Sequence, residues 1–345
     1  MAPRPAPRPD RLPKISRRRA IQVIAAAAGL PVVAGLGSLT RGVRAADMFV
    51  WQGVALGSPA KLTLAHPDRA RAERAAELCV GEIERLEAIF SLYRSDSELN
   101  RLNRDGSVTR PSRDLVQLLE QGRRFSEATG GAFDVTVQPL WQVYADHFAT
   151  RPGTDSTPDA AAIDRARTVI GYRRVKVSDR AVGFDRPGMA VTMNGIAQGY
   201  ITDRVADLLR AEGFSHVLVE LGETRALDDH PEARPWRIGL ADPYDPGKIV
   251  RTIDLDNRAV STSAGIGTRF DAAGRYHHLF DPASGLCPNH HLSVSVIADR
   301  ATSADALSTA LFVMAPGAVE PALAKLGNIQ AFVTDSNGRT RVIES

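Results

Sequence analysis

The chain has 345 residues, 43% hydrophobic and 24% charged, with a formal net charge of +3. That composition suits a globular core and excludes collagen-like, coiled-coil and disordered chains. The positive balance is local: residues 1–45 hold nine Arg or Lys and one Asp, and the rest carries 34 basic and 39 acidic residues, so no nucleic-acid-binding surface is implied.

Residues 1–45 run from a basic, Pro-rich start through an Ala- and Gly-rich apolar stretch to Val43 and Ala45, which fit the small-residue rule for a cut after Ala45, the layout of a cleaved signal peptide. Within it, Ser16-Arg17-Arg18-Arg19 matches the twin-arginine export pattern and points to the periplasm. A membrane anchor is the competing reading, but the apolar run from Ala20 to Leu36 is short and is interrupted by Gln22 and Pro31. Cys79 lies in a helical pattern and Cys287 in a loop, so the two are read as unpaired in an oxidising compartment.

In chain order, MFVWQGVAL and KLTLAH alternate as a starting hairpin with Leu56-Gly57-Ser58 at its turn. Over 68–91, Ala75, Leu78, Val80, Ile83, Leu86 and Ile89 keep helical spacing after Pro67 and Asp68. SLYRSDSELNRLNRDG reads as polar and turn-rich, and a second helix over 113–129 stops at Gly130-Gly131. AFDVTVQPLWQVY leads into the exposed loop RPGTDSTPD, a short helix near 160–166, and strand-like VKVSD, AVGFD and MAVTMN. AQGYITDRVADLLRAEG is a helix ending on Gly213, and HVLVELG, WRIGLADP, RTIDLD and AVSTSA supply strands. The last quarter gives the strand LSVSVIA, the helix ATSADALSTALFVMA, a helix over 317–326, and the strands IQAFVTD and TRVIES. Without strict βαβ alternation the fold class is α+β, mixed sheets with packed helices, residues 46–345 forming one catalytic unit with room for two lobes.

Several stretches carry chemistry. In MNGIAQGYITDR, Gly195 and Gly199 flank a turn into a helix, where free amides suit a phosphate or small residues suit tight helix packing. RYHHLFDPASG sets His277 and His278 before an Asp-Pro turn, as a base, a ligand pair or a capped loop, and the upstream STSAGIGTRF suggests loops converging on an anion. His290 and His291 have no Cys or acidic partner at zinc spacing. In ATSADALSTALF, Asp305 and Thr309 stand one turn apart with Ser308 between them, three oxygens on one helix face of the hard type that Mg²⁺ takes beside phosphate and water. The plainer reading makes Thr302 or Ser303 the N-cap and Asp305 a carboxylate in the first turn, facing the helix dipole. Phe133 beside Asp134, and Tyr93 in its polar loop, would grip a nucleotide or belong to the core.

The segments SLYRSDSELNRLN, TGGAFDVTVQPLW, NGIAQGYITD, YHHLFDPASG and SADALSTALF, in this order, resemble the ApbE family of FAD:protein FMN transferases over nearly the whole chain beyond the leader. NGIAQGY together with the twin-arginine leader is most similar to the NosX branch, accessory proteins of nitrous oxide respiration. The resemblance implies the flavin transferase fold and transfer of FMN from FAD to a Thr hydroxyl of an acceptor flavoprotein, membrane-bound on the periplasmic side, with release of AMP. It implies Mg²⁺ at Asp305 and Thr309, with Ser308 in the same motif and the Gly195 carbonyl joining them. The FAD contacts it implies are Leu56, Tyr93, Ala132, Phe133, Asp134 and Leu279, with Thr192 and Gln198 in the glycine-containing segment, and His278 or Asp305 as proton acceptor. Two departures stand out: Gln198 occupies the place of a commoner Lys, which removes a cation near the flavin or its phosphates, and Gly222-Glu223 replaces Gly-Gly-Asp. The rival readings are a Mg²⁺-dependent FAD pyrophosphatase, with water in place of the Thr, and a periplasmic flavin-binding protein that donates FAD or electrons without making a bond.

Overall fold

The computed structural model describes residues 47–345 apart from Pro246, so the leader lies outside the described residues. Among the described residues no helix is long and apolar enough to cross a membrane.

An eight-stranded antiparallel sheet forms the middle of the molecule, in the order β1 (Met48–Ala55), β2 (Ser58–Ala65), β6 (Val217–Glu220), β7 (Thr224–Leu227), β10 (Ala259–Ala264), β11 (His291–Ala298), β12 (Gln330–Asp335) and β13 (Thr340–Glu344). The β1–β2 hairpin turns on Leu56 and Gly57, both at positive φ (47° and 79°), the two-residue geometry that matches strand twist. A leucine in that conformation is uncommon; its N–H donates to Glu87 Oε1, which helps to hold the turn.

Helices α1 (Arg69–Phe90), α3 (Arg113–Ala128), α6 (Ala197–Ala211) and α7 (Ala301–Val313) cover one face of the sheet. Asp68 caps α1 by accepting from Arg71 N, and Ala72, Ala75, Cys79, Ile83, Leu86 and Phe90 are its buried stripe. Each buried leucine or isoleucine of this kind adds about 1.5–3 kcal/mol. The opposite face is closed by the ribbon β8 (Trp236–Ala241) and β9 (Ile249–Leu255), whose Trp236, Ile253 and Leu255 meet Leu218, Val260 and Phe332. Helix α8 (Pro316–Leu323) packs beside α7, β11 and β12. A separate aromatic core joins α4 (Gln138–Thr150) and α5 (Ala160–Thr168) to the long β10–β11 connection through Tyr144, Phe148, Phe270 and Phe280.

Two local expectations need correction, and one segment left unassigned gains its structure. The polar stretch after α1 contains a helix, α2 (Glu98–Asp105), capped by Ser97 and ended by Gly106 at φ 74°. MAVTMN is not a strand: Val191 N and O both pair with the Asn103 side chain, at 2.7 and 2.8 Å, and Thr192 N donates to Val135 O. DVTVQPLWQVY is a 3₁₀ turn, Val135–Val137, running into α4 with Pro139 in its first turn. The third, smaller sheet is β3 (Ser107–Thr109), β5 (Ala181–Phe184) and β4 (Val175–Val177), ordered 3-5-4. Cys79 and Cys287 are unpaired, as expected, and Cys287 Sγ donates to His277 O.

Candidate functional site

Antiparallel pairing brings the β1–β2 turn, the β6–β7 turn and the far end of β10 to one end of the main sheet, and a cleft opens there. Its walls hold Leu56 and Ser58 from the first turn, Glu223 from the second, and Thr262–Ala264 from β10. The remaining walls are Leu92 and Tyr93 after α1, Ala132–Val135 after α3, Thr192–Gln198 before and within α6, His278–Phe280 from the long connection, and Asp305 and Thr309 from α7. Tyr93 stands at the rim with 67% of its surface exposed.

The floor is acidic. Asp305 is 4% and Glu223 8% exposed, and neither has a cationic side chain within ion-pair distance among the described residues. Burial and the neighbouring Glu223 carboxylate push Asp305 well above the usual carboxylate range, and only a hydrogen bond from Gly199 N, at 3.0 Å, works in the other direction. Burial likewise pushes Glu223 up to about 7, against a hydrogen bond with Ser261. Thr309 lies against Gly195: a Cβ on that glycine would sit 3.0 Å from Thr309 Oγ1 and 3.4 Å from the Phe133 ring. A buried carboxylate pair short of positive charge, next to a hydroxyl and main chain, is a hard-oxygen donor set that fits a divalent cation of the Mg²⁺ type.

Helix α7 does not start as its sequence suggested. Arg300 occupies the N-cap without a side-chain bond, Thr302 is the second helical residue, and the first amides are taken by Asp203 of α6. Asp305 therefore lies beyond the first turn, with its carboxylate on the first turn of α6. Ser308 does not line the cleft as Asp305 and Thr309 do, although Ser263 Oγ meets both its hydroxyl and that of Thr309. Its hydroxyl, fully buried, donates to Asp305 O at 3.0 Å and meets Ser263 Oγ at 2.8 Å and Ser261 Oγ at 3.2 Å. These bonds make it a strut between α7 and β10.

The two adjacent histidines divide their work. His277 is buried, with Nε2 on Pro288 O and Nδ1 accepting from Leu279 N, and burial lowers it to about 4, so it is a neutral structural residue. His278 faces the cleft. Its Nδ1 is 3.3 Å from both Thr268 O and Thr268 N, and burial lowers its pKa. Asp134 lines the cleft, but its carboxylate is spent within the wall, accepting from Thr136 N, Thr136 Oγ1 and Tyr172 N. Gln198 reaches Ser58 Oγ at 3.1 Å and lies across Gly222, where a Cβ would be 2.3 Å from Gln198 Nε2; φ at Gly222 is +93°, so glycine suits the position twice over. Leu56, Ala132, Phe133, Thr192 and Leu279 all line the cleft as well. Glu223 was missed as a site residue, although its place after a lone glycine between two short strands signals a tight turn at a sheet end.

The fold that builds this cleft is shared with solved flavin transferases, and relatives named FAD:protein FMN transferases show the chain to be a transferase. The apo flavinyl transferase ApbE of Pseudomonas stutzeri superposes with a TM-score of 0.73 at 28% identity, covering 89% of this chain and 97% of that one. The ApbE protein of Thermotoga maritima superposes with a TM-score of 0.76 at 26% identity, covering 86% and 97%. An FAD:protein FMN transferase of Klebsiella pneumoniae is 30% identical over 285 residues, 79% of this chain and 80% of the relative. One from Salmonella typhimurium is 32% identical over 258 residues, 70% and 73%. The model of the ApbE family matches residues 56–333, and the chain belongs to that family.

Proposed function

We propose that this chain is an FAD:protein FMN transferase that joins the FMN phosphorus of FAD to a Thr hydroxyl of an acceptor flavoprotein and releases AMP. The observation that carries the reading is the gathering of an acidic, cation-free floor and aromatic and apolar walls, from well-separated segments, around one cleft. Asp305, Thr309 and the main chain at Gly195 would hold Mg²⁺. A divalent cation there neutralises charge that develops on phosphate oxygens. Phe133, Leu56, Leu279 and Tyr93 offer apolar and aromatic surface to the flavin and adenine, and Gln198 offers an uncharged donor toward the phosphates.

As the acceptor oxygen bonds to phosphorus and the phosphoanhydride breaks, the hydroxyl proton needs a base. His278 suits that role better than Asp305, which a bound cation would make less basic. Burial favours the neutral form of His278; in the tautomer that donates Nδ1–H to Thr268 O, Nε2 can take the proton, whereas accepting from Thr268 N at Nδ1 would leave Nε2 already protonated.

The twin-arginine pattern in residues 16–19 supports export to the periplasm, and NGIAQGY together with that leader supports a membrane-bound acceptor in nitrous oxide respiration. Fractionation of cells carrying Arg17→Lys and Arg18→Lys tests the first point; the doubly substituted protein should stay in the cytoplasm. Incubation with FAD and Mg²⁺ tests the reaction: AMP should appear only when an acceptor is present, whereas rapid release of AMP and free FMN without one would favour hydrolysis.

A further inference from the structure

We infer that Asp203 is a positioning residue for the cation-binding turn of α7, acting through a reciprocal exchange in which a carboxylate from the second turn of each of α6 and α7 accepts from first-turn amides of the other. The inference rests on the reading that Asp305 and Thr309 hold a divalent cation. Asp203 is 1% exposed and does not line the cleft. Its Oδ1 accepts from Ala301 N at 2.9 Å and from Arg225 Nη1; its Oδ2 accepts from Thr302 N at 2.9 Å, from Thr302 Oγ1 at 2.6 Å, and faces Arg300 Nε at 3.3 Å. In return Asp305 of α7 accepts from Gly199 N, the third residue of α6. Each helix thus caps the other, and neither has a side-chain cap of its own.

The exchange works only at contact distance. A Cβ at Gly199 would lie 2.3 Å from Ala301 O and 2.8 Å from Asp305 Cβ, so the helices touch through main chain at the point where the two carboxylates cross. Rotation or axial slip of α7 is then blocked by bonds at both ends of this contact, and that fixes where Asp305 and Thr309 point. The charge of Asp203 is met by Arg225 and Arg300, and Arg300 is held in turn by a bidentate pair with Asp207 at 2.8 and 2.6 Å. Ligand oxygens must sit within about 0.2 Å of their places for a metal site to work, so a small loosening of α7 costs affinity.

Asp203→Asn keeps the shape but sets an amide NH₂ against a backbone N–H or an arginine, since one of its two positions can no longer accept. Calorimetric titration of Mg²⁺ into the protein with FAD present should show the dissociation constant rising about 10- to 100-fold, the range seen when groups that orient metal ligands are removed. Transfer at saturating Mg²⁺ should recover most of its kcat. In an Asp305→Asn background the same substitution should change Mg²⁺ binding no further. A lowered melting temperature with an unchanged Mg²⁺ constant would overturn the inference and leave Asp203 as a structural cap. Absence of Mg²⁺ binding by the wild-type protein would overturn the cation reading itself. If Asp203→Asn does not fold, Thr302→Val removes one of the five contacts and should weaken Mg²⁺ binding by roughly 5-fold, the worth of one hydrogen bond; no change there would overturn the inference equally.

Discussion

At the scale of single residues, Asp305 and Glu223 decide how the cleft responds to pH. Glu223 is held at about 7 in the folded protein against an ordinary 4.5, so the fold keeps a proton that the unfolded chain has already released. Its contribution to stability is therefore full below about 4.5 and is lost as pH rises through about 7. Asp305 shifts in the same direction and adds to this. Metal-free protein should melt at a lower temperature at pH 8 than at pH 5.5, and Mg²⁺ should raise the melting temperature more at pH 8, where Glu223 has released its proton; scanning calorimetry with chelator and with Mg²⁺ checks both. Asp305→Ala should cut transfer by at least about 100-fold, read as flavinylated acceptor per unit time. Gln198→Lys should lower the KM for FAD several-fold by restoring a cation beside the diphosphate, measured at fixed Mg²⁺. That Asp305, Thr309 and His278 would meet at one cleft was legible in the sequence through the ordered segments and the resemblance they carry. Ser308 and Asp134 show the limit, since type and position cannot tell a hydroxyl on the cleft from one on β10, or a free carboxylate from one already bonded to Thr136 and Tyr172.

At the scale of elements, the meeting of α6 and α7 at Gly199 is the tightest joint of the site. Gly199→Ala should destabilise the protein by about 1–3 kcal/mol through overpacking against main chain, with a lower denaturation midpoint in urea as the readout. Periodicity revealed α1, α3, α6 and α7, whose stripes or apolar runs extend for three or more turns. It did not reveal α2, a two-turn helix defined by its Ser97 cap and Gly106 stop in an otherwise polar stretch. It misassigned MAVTMN, whose alternation is real but whose main-chain partners are an asparagine side chain and Val135 rather than a neighbouring strand. Capping of α7 was misread for a related reason: the cap comes from Asp203, 98 residues upstream, and local sequence carries no mark of it.

At the scale of the whole molecule, the cleft exists because an antiparallel sheet returns several of its turns to one end, where two helices begin and the long β10–β11 connection folds over. An α+β class followed from the order of elements, but the strand order of the main sheet did not, because β7 and the β6–β7 turn are too short to announce themselves. The order of five weak motifs, more than any one of them, pointed to the family, and the family match over residues 56–333 spans all five. The decisive measurement is intact-protein mass spectrometry of a purified candidate acceptor incubated with this protein, FAD and Mg²⁺. The acceptor should gain the mass of FMN less one water at a Thr, in equal amount to the AMP released, and should gain nothing with Asp305→Ala. An acceptor of unchanged mass while AMP and free FMN accumulate, or full modification by Asp305→Ala, would contradict it.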